Sequence, residues 1–226
     1  MNSFFGMREY IEKMSRRLPV YLLIDTSGSM KGEPIESVKV GLDAMISTLV
    51  NDPFALESVH LSIITFDREV KLLFPLTGID DLTLPEISTP DYGPTHLGAA
   101  LQLLEQRIDT EFIRNTTTQK GDWLPVLLVM TDGKPSDVLL YDEMCEKLSK
   151  RKFGRLIACA AGPQAKVEPL KKLTSEVYRL ENLDSDSFIK LFQWVSASID
   201  ECNKSQGTGI DENANLPPPP EEIMVF

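Results

Sequence analysis

Two short runs constrain this chain more than anything else in it. Val20–Ile24 is a block of five apolar or aromatic residues that ends at Asp25, and Val126–Met130 is a block of five apolar residues that ends at Thr131 and Asp132. An unbroken apolar run of strand length is what a parallel strand needs when helices cover both of its faces. An acid at the end of such a run falls at the carboxyl edge of the sheet, where doubly wound folds bind their ligands. After Asp25 the chain turns small and hydroxylic, with Thr26, Ser27, Gly28 and Ser29 in succession. Nothing in that stretch extends a buried strand.

Between these runs the apolar period changes. Ile35, Val38, Leu42, Met45 and Leu49 fall on one helical stripe behind Pro34, a residue suited to a first helical turn. Leu97, Leu101, Leu104 and Ile108 mark a second helix, Met144 and Leu148 a third, and Phe188, Leu191, Phe192, Val195 and Ile199 a last one. Val59–Phe66 and Val70–Leu76 are separated only by Asp67–Glu69, too little chain for a crossover, so they predict an antiparallel hairpin with a reversed strand at the sheet edge. Arg155–Ala161 and Glu176–Leu180 supply the remaining strands. Alternating strands and helices predict an α/β fold: a doubly wound, mostly parallel sheet of about six strands, one antiparallel edge strand, and helices on both faces.

The domain is expected to span residues 18–203. Residues 1–17 form an extension in which Phe4, Met7, Ile11 and Met14 have the spacing of a short amphipathic helix. Residues 204–226 read as a flexible Pro-rich tail, with Pro217–Pro220 favouring an extended polyproline conformation. Charge narrows the partners: 34 acidic against 23 basic side chains give a net charge of −11, which opposes nucleic acid and anionic lipid alike. No apolar stretch reaches membrane-spanning length and no secretory leader is evident, so a cytoplasmic location is expected. Three separated cysteines, Cys145, Cys159 and Cys202, read as reduced thiols and not as a zinc site.

The candidate site gathers Asp25 and Asp132 from two strand ends, Ser27 and Ser29 from the loop after the first, and Thr95 from the segment before the second helix. Each alone could cap a turn or a helix. Together they are hard oxygen donors of the kind that bind a divalent cation, magnesium first, with manganese or calcium as alternatives. His60 falls within a strand, and His96, beside Thr95, brings an imidazole for which such a site has little use.

The order Asp25-Thr26-Ser27-Gly28-Ser29, then Thr95, then Asp132 resembles the metal-ion-dependent adhesion site of von Willebrand factor A domains. "RRLPVYLLIDTSGSM", "SIITFD", "LGAAL", "QKGDW" and "VMTDGKPSD" resemble the bacterial tellurite-resistance TerY group of these domains. His96 is a departure, since a small hydroxyl residue is commoner there. The resemblance implies that Ser27, Ser29 and Thr95 touch the metal, that Asp25 and Asp132 act through waters and hydrogen bonds, and that an open position takes an Asp or Glu from a protein partner. It further implies a role in tellurite or chemical-stress resistance, with a kinase or phosphatase among the partners. The function expected is therefore a metal-dependent interaction module and not an enzyme. The alternative is a magnesium-dependent phosphohydrolase or phosphotransferase with Asp25 as nucleophile. Enzymes of the haloacid-dehalogenase type need a second acid two residues on, where this chain has Ser27.

Overall fold

The computed structural model describes residues 16–117, 120–206, 218–220 and 223–226, with side chains from 200 to 206 excepted. The helical spacing at Phe4–Met14 lies outside the described residues. Seven strands form one sheet in the order β3-β2-β1-β4-β5-β6-β7. They are β1 (Leu18–Asp25), β2 (Val59–Phe66), β3 (Val70–Gly78), β4 (Val126–Thr131), β5 (Arg155–Ala161), β6 (Val177–Leu180) and β7 (Ile223–Val225). The helices are α1 (Glu33–Asn51), α2 (Pro53–Ser58), α3 (Leu97–Glu111), α4 (Val138–Ser149), α5 (Val167–Leu170) and α6 (Ser185–Gln206).

Strand β1 runs parallel to both β2 and β4, and β5 and β6 continue the parallel set. Its residues alternate between the two faces, as a pleated strand requires. Leu18, Val20, Leu22 and Ile24 pack with Leu42, Met45, Phe188 and Phe192 from α1 and α6. Tyr21 and Leu23 pack on the other side with Leu101, Leu104 and Met144 from α3 and α4. Both faces are covered, which is why these strands read as continuous apolar runs.

The hairpin β2–β3 is antiparallel, with β3 at the sheet edge. The opposite edge differs from the sequence expectation. The sheet has seven strands instead of about six, because Ile223–Val225, within the segment read as a tail, pairs antiparallel with β6. It is thus a second reversed edge strand. A three-residue strand defined by a partner some forty residues earlier carries no local period to reveal it.

At the amino end of the sheet, Arg17 Nε and Nη2 donate to Asp122 Oδ1 and Oδ2 at 2.9 and 2.7 Å. Asp122 Oδ2 also accepts from Ile113 N at 2.8 Å, and the Arg16 guanidinium lies 3.6 Å from the centre of the Trp123 ring. This clasp ties the entry to β1 to the entry to β4. From there the two strands pair in parallel as far as Ile24 and Met130, which sets their carboxyl ends side by side.

Candidate metal centre

The chain leaves β1 on one side towards β2 and β3, whereas β4 to β6 build out on the other, so the winding direction switches between β1 and β4. Splayed crossovers open a crevice at such a point. Asp25 ends β1 there, and Asp132 follows Thr131 at the end of β4.

Asp25 is fully buried. Its Oδ1 accepts from Ser27 N at 2.8 Å and its Oδ2 from Thr131 Oγ1 at 2.5 Å. Both oxygens are therefore fixed by their neighbours, one from the same loop and one from the adjacent strand. Ahead of this carboxylate, Ser27 Oγ and Ser29 Oγ are 3.2 Å apart, and Ser29 Oγ donates to Asp132 Oδ1 at 2.9 Å. A hydroxyl that gives its proton to a carboxylate keeps its lone pairs free for a cation.

Thr95 reaches the same place from the segment before α3. A methyl built on Gly133 would lie 3.0 Å from Thr95 Oγ1, so the third hydroxyl borders the loop that begins at Asp132. Ser136 fixes that segment, its amide donating to Thr95 O at 2.8 Å and its hydroxyl accepting from Thr95 N at 3.1 Å. Gly28 serves close approach: a Cβ there would sit 2.5 Å from Tyr92 Cα. All five residues singled out in the sequence are thus gathered at one sheet edge.

Desolvation dominates the electrostatics of the two acids. Burial raises the Asp25 carboxyl to about 6, against the lowering effect of its hydrogen bonds to Thr131 and Ser27, with Asp132 adding a smaller upward push. Burial likewise raises Asp132, while its bond from Ser29 works the other way. Lys31, close by in sequence, is engaged with Asp91.

The donor set fits a small divalent cation. A small divalent cation prefers hard oxygen donors, and Ser27 Oγ and Ser29 Oγ, 3.2 Å apart, are close enough to share one. Among the described residues no cluster of three or more His, Cys, Asp or Glu side chains offers a metal cage elsewhere. The candidate site is built largely from hydroxyls instead. The Nδ1 of His96 lies 3.0 Å from Arg68 O and donates to that carbonyl.

Two supporting acids went unnoticed in the sequence. Asp67, after β2, accepts from Thr26 Oγ1 at 3.1 Å, and its carbonyl accepts from His96 N at 3.0 Å, joining the β1 loop to the Thr95 segment. Asp137 accepts from Gly98 N and Ala99 N at 3.1 and 2.8 Å and so caps α3 from the β4 side. Acids immediately following strand or loop motifs are the available signal, but which amide each would meet depends on the assembled sheet.

This arrangement defines a doubly wound domain with an oxygen-lined crevice at its switch point. Residues 20–193 match the von Willebrand factor type A domain, and the chain belongs to that family. It is similar to matrilin-3 of Gallus gallus, 29% identical over 127 residues that make up 54% of this chain and 27% of matrilin-3. The chain thus spans about a quarter of the length of that curated relative. Among solved structures it is similar in fold to proximal thread matrix protein 1 from the mussel byssus with a zinc-occupied MIDAS motif, at a TM-score of 0.57 and 19% identity, covering 81% of this chain and 48% of that one. It is also similar to manganese-loaded TRAP protein of Plasmodium vivax, at a TM-score of 0.51 and 20% identity, covering 78% and 73% of the two chains. No helix among the described residues is long and apolar enough to cross a membrane.

Proposed function

We propose that this protein is a divalent-cation-dependent protein-interaction module, in which Ser27, Ser29 and Thr95 hold the cation and Asp25 and Asp132 support it. The observation that carries this reading is the contact chain from Ser27 Oγ to Ser29 Oγ to Asp132 Oδ1 in front of a fully buried Asp25. The zinc-occupied and manganese-loaded relatives support it.

The cation would supply an electrophilic centre that an incoming carboxylate can reach. This chain's part is to keep it incompletely neutralised: Asp25 is held back by Ser27 N and Thr131 Oγ1, and an acid kept at a distance attracts the ion without quenching it. An Asp or Glu of a protein partner then completes the set. Magnesium is the ion proposed, because the donors are all hard oxygens and few of them are charged. A cytoplasmic setting, a role in tellurite or chemical-stress resistance and a kinase or phosphatase partner belong to the same proposal and rest on the motif resemblance.

A phosphotransfer role for Asp25 finds no support in the geometry. A nucleophile must reach its substrate, whereas Asp25 is fully buried with both oxygens engaged. Calorimetric titration with magnesium and manganese tests the reading. Saturable binding in the wild type that disappears in Ser27→Ala and Ser29→Ala variants is expected; equal binding by all three proteins refutes the site.

A further inference from the structure

The far edge of the sheet is closed by β7, which pairs antiparallel with β6. Strand β7 is only three residues long, and its pairing register is Leu180 with Ile223, Arg179 with Met224 and Tyr178 with Val225. One more backbone bond, from Phe226 N to Val177 O at 2.9 Å, closes the ladder. Side-chain anchorage is unequal. Ile223 is 4% exposed and sits in the core with Tyr178 and Trp194, whereas Met224, Val225 and Phe226 are 41%, 64% and 39% exposed. The Phe226 ring lies 4.5 Å from the Arg179 guanidinium and 6.0 Å from Lys171 Nζ.

This seat is imperfect in a telling way. Arg179 Nε is buried without a hydrogen-bond partner, and burying an unsatisfied donor opposes closure. Among the described residues its other nitrogens make long contacts, 3.5 Å to Ala165 O and 3.9 Å to Glu181 Oε1. One buried side chain and a short ladder are weak attachment for a strand, and without it the outer edge of β6 is an open template for strand addition. The chain connecting β7 to α6 is long, since residues 207 to 222 intervene. A tethered segment of that length holds its seat through effective concentration more than through affinity.

We infer that the outer edge of β6 is a strand-receiving site, that Ile223–Phe226 is its removable occupant, and that release of this cap opens the edge to the same segment of a second copy of the chain. Selectivity resides in three features: a buried slot for an aliphatic side chain at the Ile223 position, exposed positions at 224 and 225, and an aromatic ring over the cations Arg179 and Lys171 at position 226. The site is separate from the metal crevice, because β6 is two strands removed from β4.

The test uses the full chain and a fluorescent peptide with the sequence of residues 217–226. A full-length Ile223→Asp variant, whose own cap cannot seat, should bind this peptide at least tenfold more tightly than the wild type, with or without chelator. The same peptide carrying Ile223→Asp should bind neither protein. Chelator independence separates this result from any failure of the metal reading. Hydrogen exchange on the unaltered wild type provides a second arm should the variant not fold: the Phe226 amide should exchange at least a hundredfold faster than the amides of β4 and β5. Peptide binding equal for variant and wild type, or absent from both, overturns the inference, as does a Phe226 amide protected as strongly as the central strands.

Discussion

Thr131 Oγ1 donates to Asp25 Oδ2 across 2.5 Å, joining the last residue of β4 to the last residue of β1. The same Oγ1 accepts from Gly133 N at 3.1 Å, so one hydroxyl fixes both the buried acid and the turn that aims Asp132. Thr131 was read in the sequence only as a hydroxyl beside an acid. Its position makes it the joint between the two halves of the site. Thr131→Val keeps the shape and removes both bonds. It should lower divalent-cation affinity about tenfold and cost ~1–2 kcal/mol of stability, measured by calorimetry and urea denaturation.

Asp25 gives the site a pH dependence whose sign follows from burial. Its folded value of about 6 lies above the ordinary 3.8, so without a cation the carboxyl favours the fold while protonated. That contribution is complete below about pH 4 and is lost as pH rises through about 6, a swing of ~3 kcal/mol. A cation favours the ionised form and reverses the preference. Added manganese should therefore raise Tm more at pH 7.5 than at pH 5, and the pH dependence of that gain should shrink in Asp25→Asn. Thermal melts with chelator and with manganese at both pH values check this, and Asp132, also raised by burial, leaves a smaller residual dependence in that variant.

Gly28 should tolerate no side chain. An added Cβ would stand 2.5 Å from Tyr92 Cα, 3.0 Å from Tyr92 N and 3.1 Å from Asp91 O, all of them backbone atoms that cannot swing aside. Gly28→Ala must shift either the serine loop or the 91–92 segment. A loss of ~1–3 kcal/mol is expected, together with weaker manganese binding, read by denaturation and titration of the same preparation.

Asp137 tests how the Thr95 segment is held. Its carboxylate caps α3 at Gly98 N and Ala99 N, and α3 begins two residues after Thr95. Asp137→Ala should cost ~1–2 kcal/mol. Asp137→Asn, which retains one of the two acceptor oxygens, should recover only part of it in equilibrium unfolding.

Much of this architecture was legible in the sequence because the informative residues are buried on both faces or locally periodic. Val20–Ile24 and Val126–Met130 declared themselves as central strands, Asp67–Glu69 forced a hairpin by its brevity, and Asp25, Ser27 and Ser29 stood together at one strand end. Helix α2 was missed: it has six residues, of which only Ala55 and Ser58 are buried, too few for a stripe, although Asp52 capping Phe54 N and Ala55 N ahead of Pro53 was a local start signal. Strand β7 was missed for a different reason, since Pro217–Pro220 directs attention to an extended tail and nothing nearby in sequence names β6 as the partner. The roles of Asp67 and Asp137 belong to the same class, because each acid acts on an amide or hydroxyl that only the folded sheet brings within reach.

The central claim is that an ion of +2 charge belongs among these hydroxyls, and anomalous diffraction from manganese-soaked crystals examines it most directly. The account predicts a strong peak within about 2.2 Å of both Ser27 Oγ and Ser29 Oγ, lost in crystals of Ser29→Ala. A well-ordered serine loop with no anomalous density beside it at saturating manganese would contradict the account.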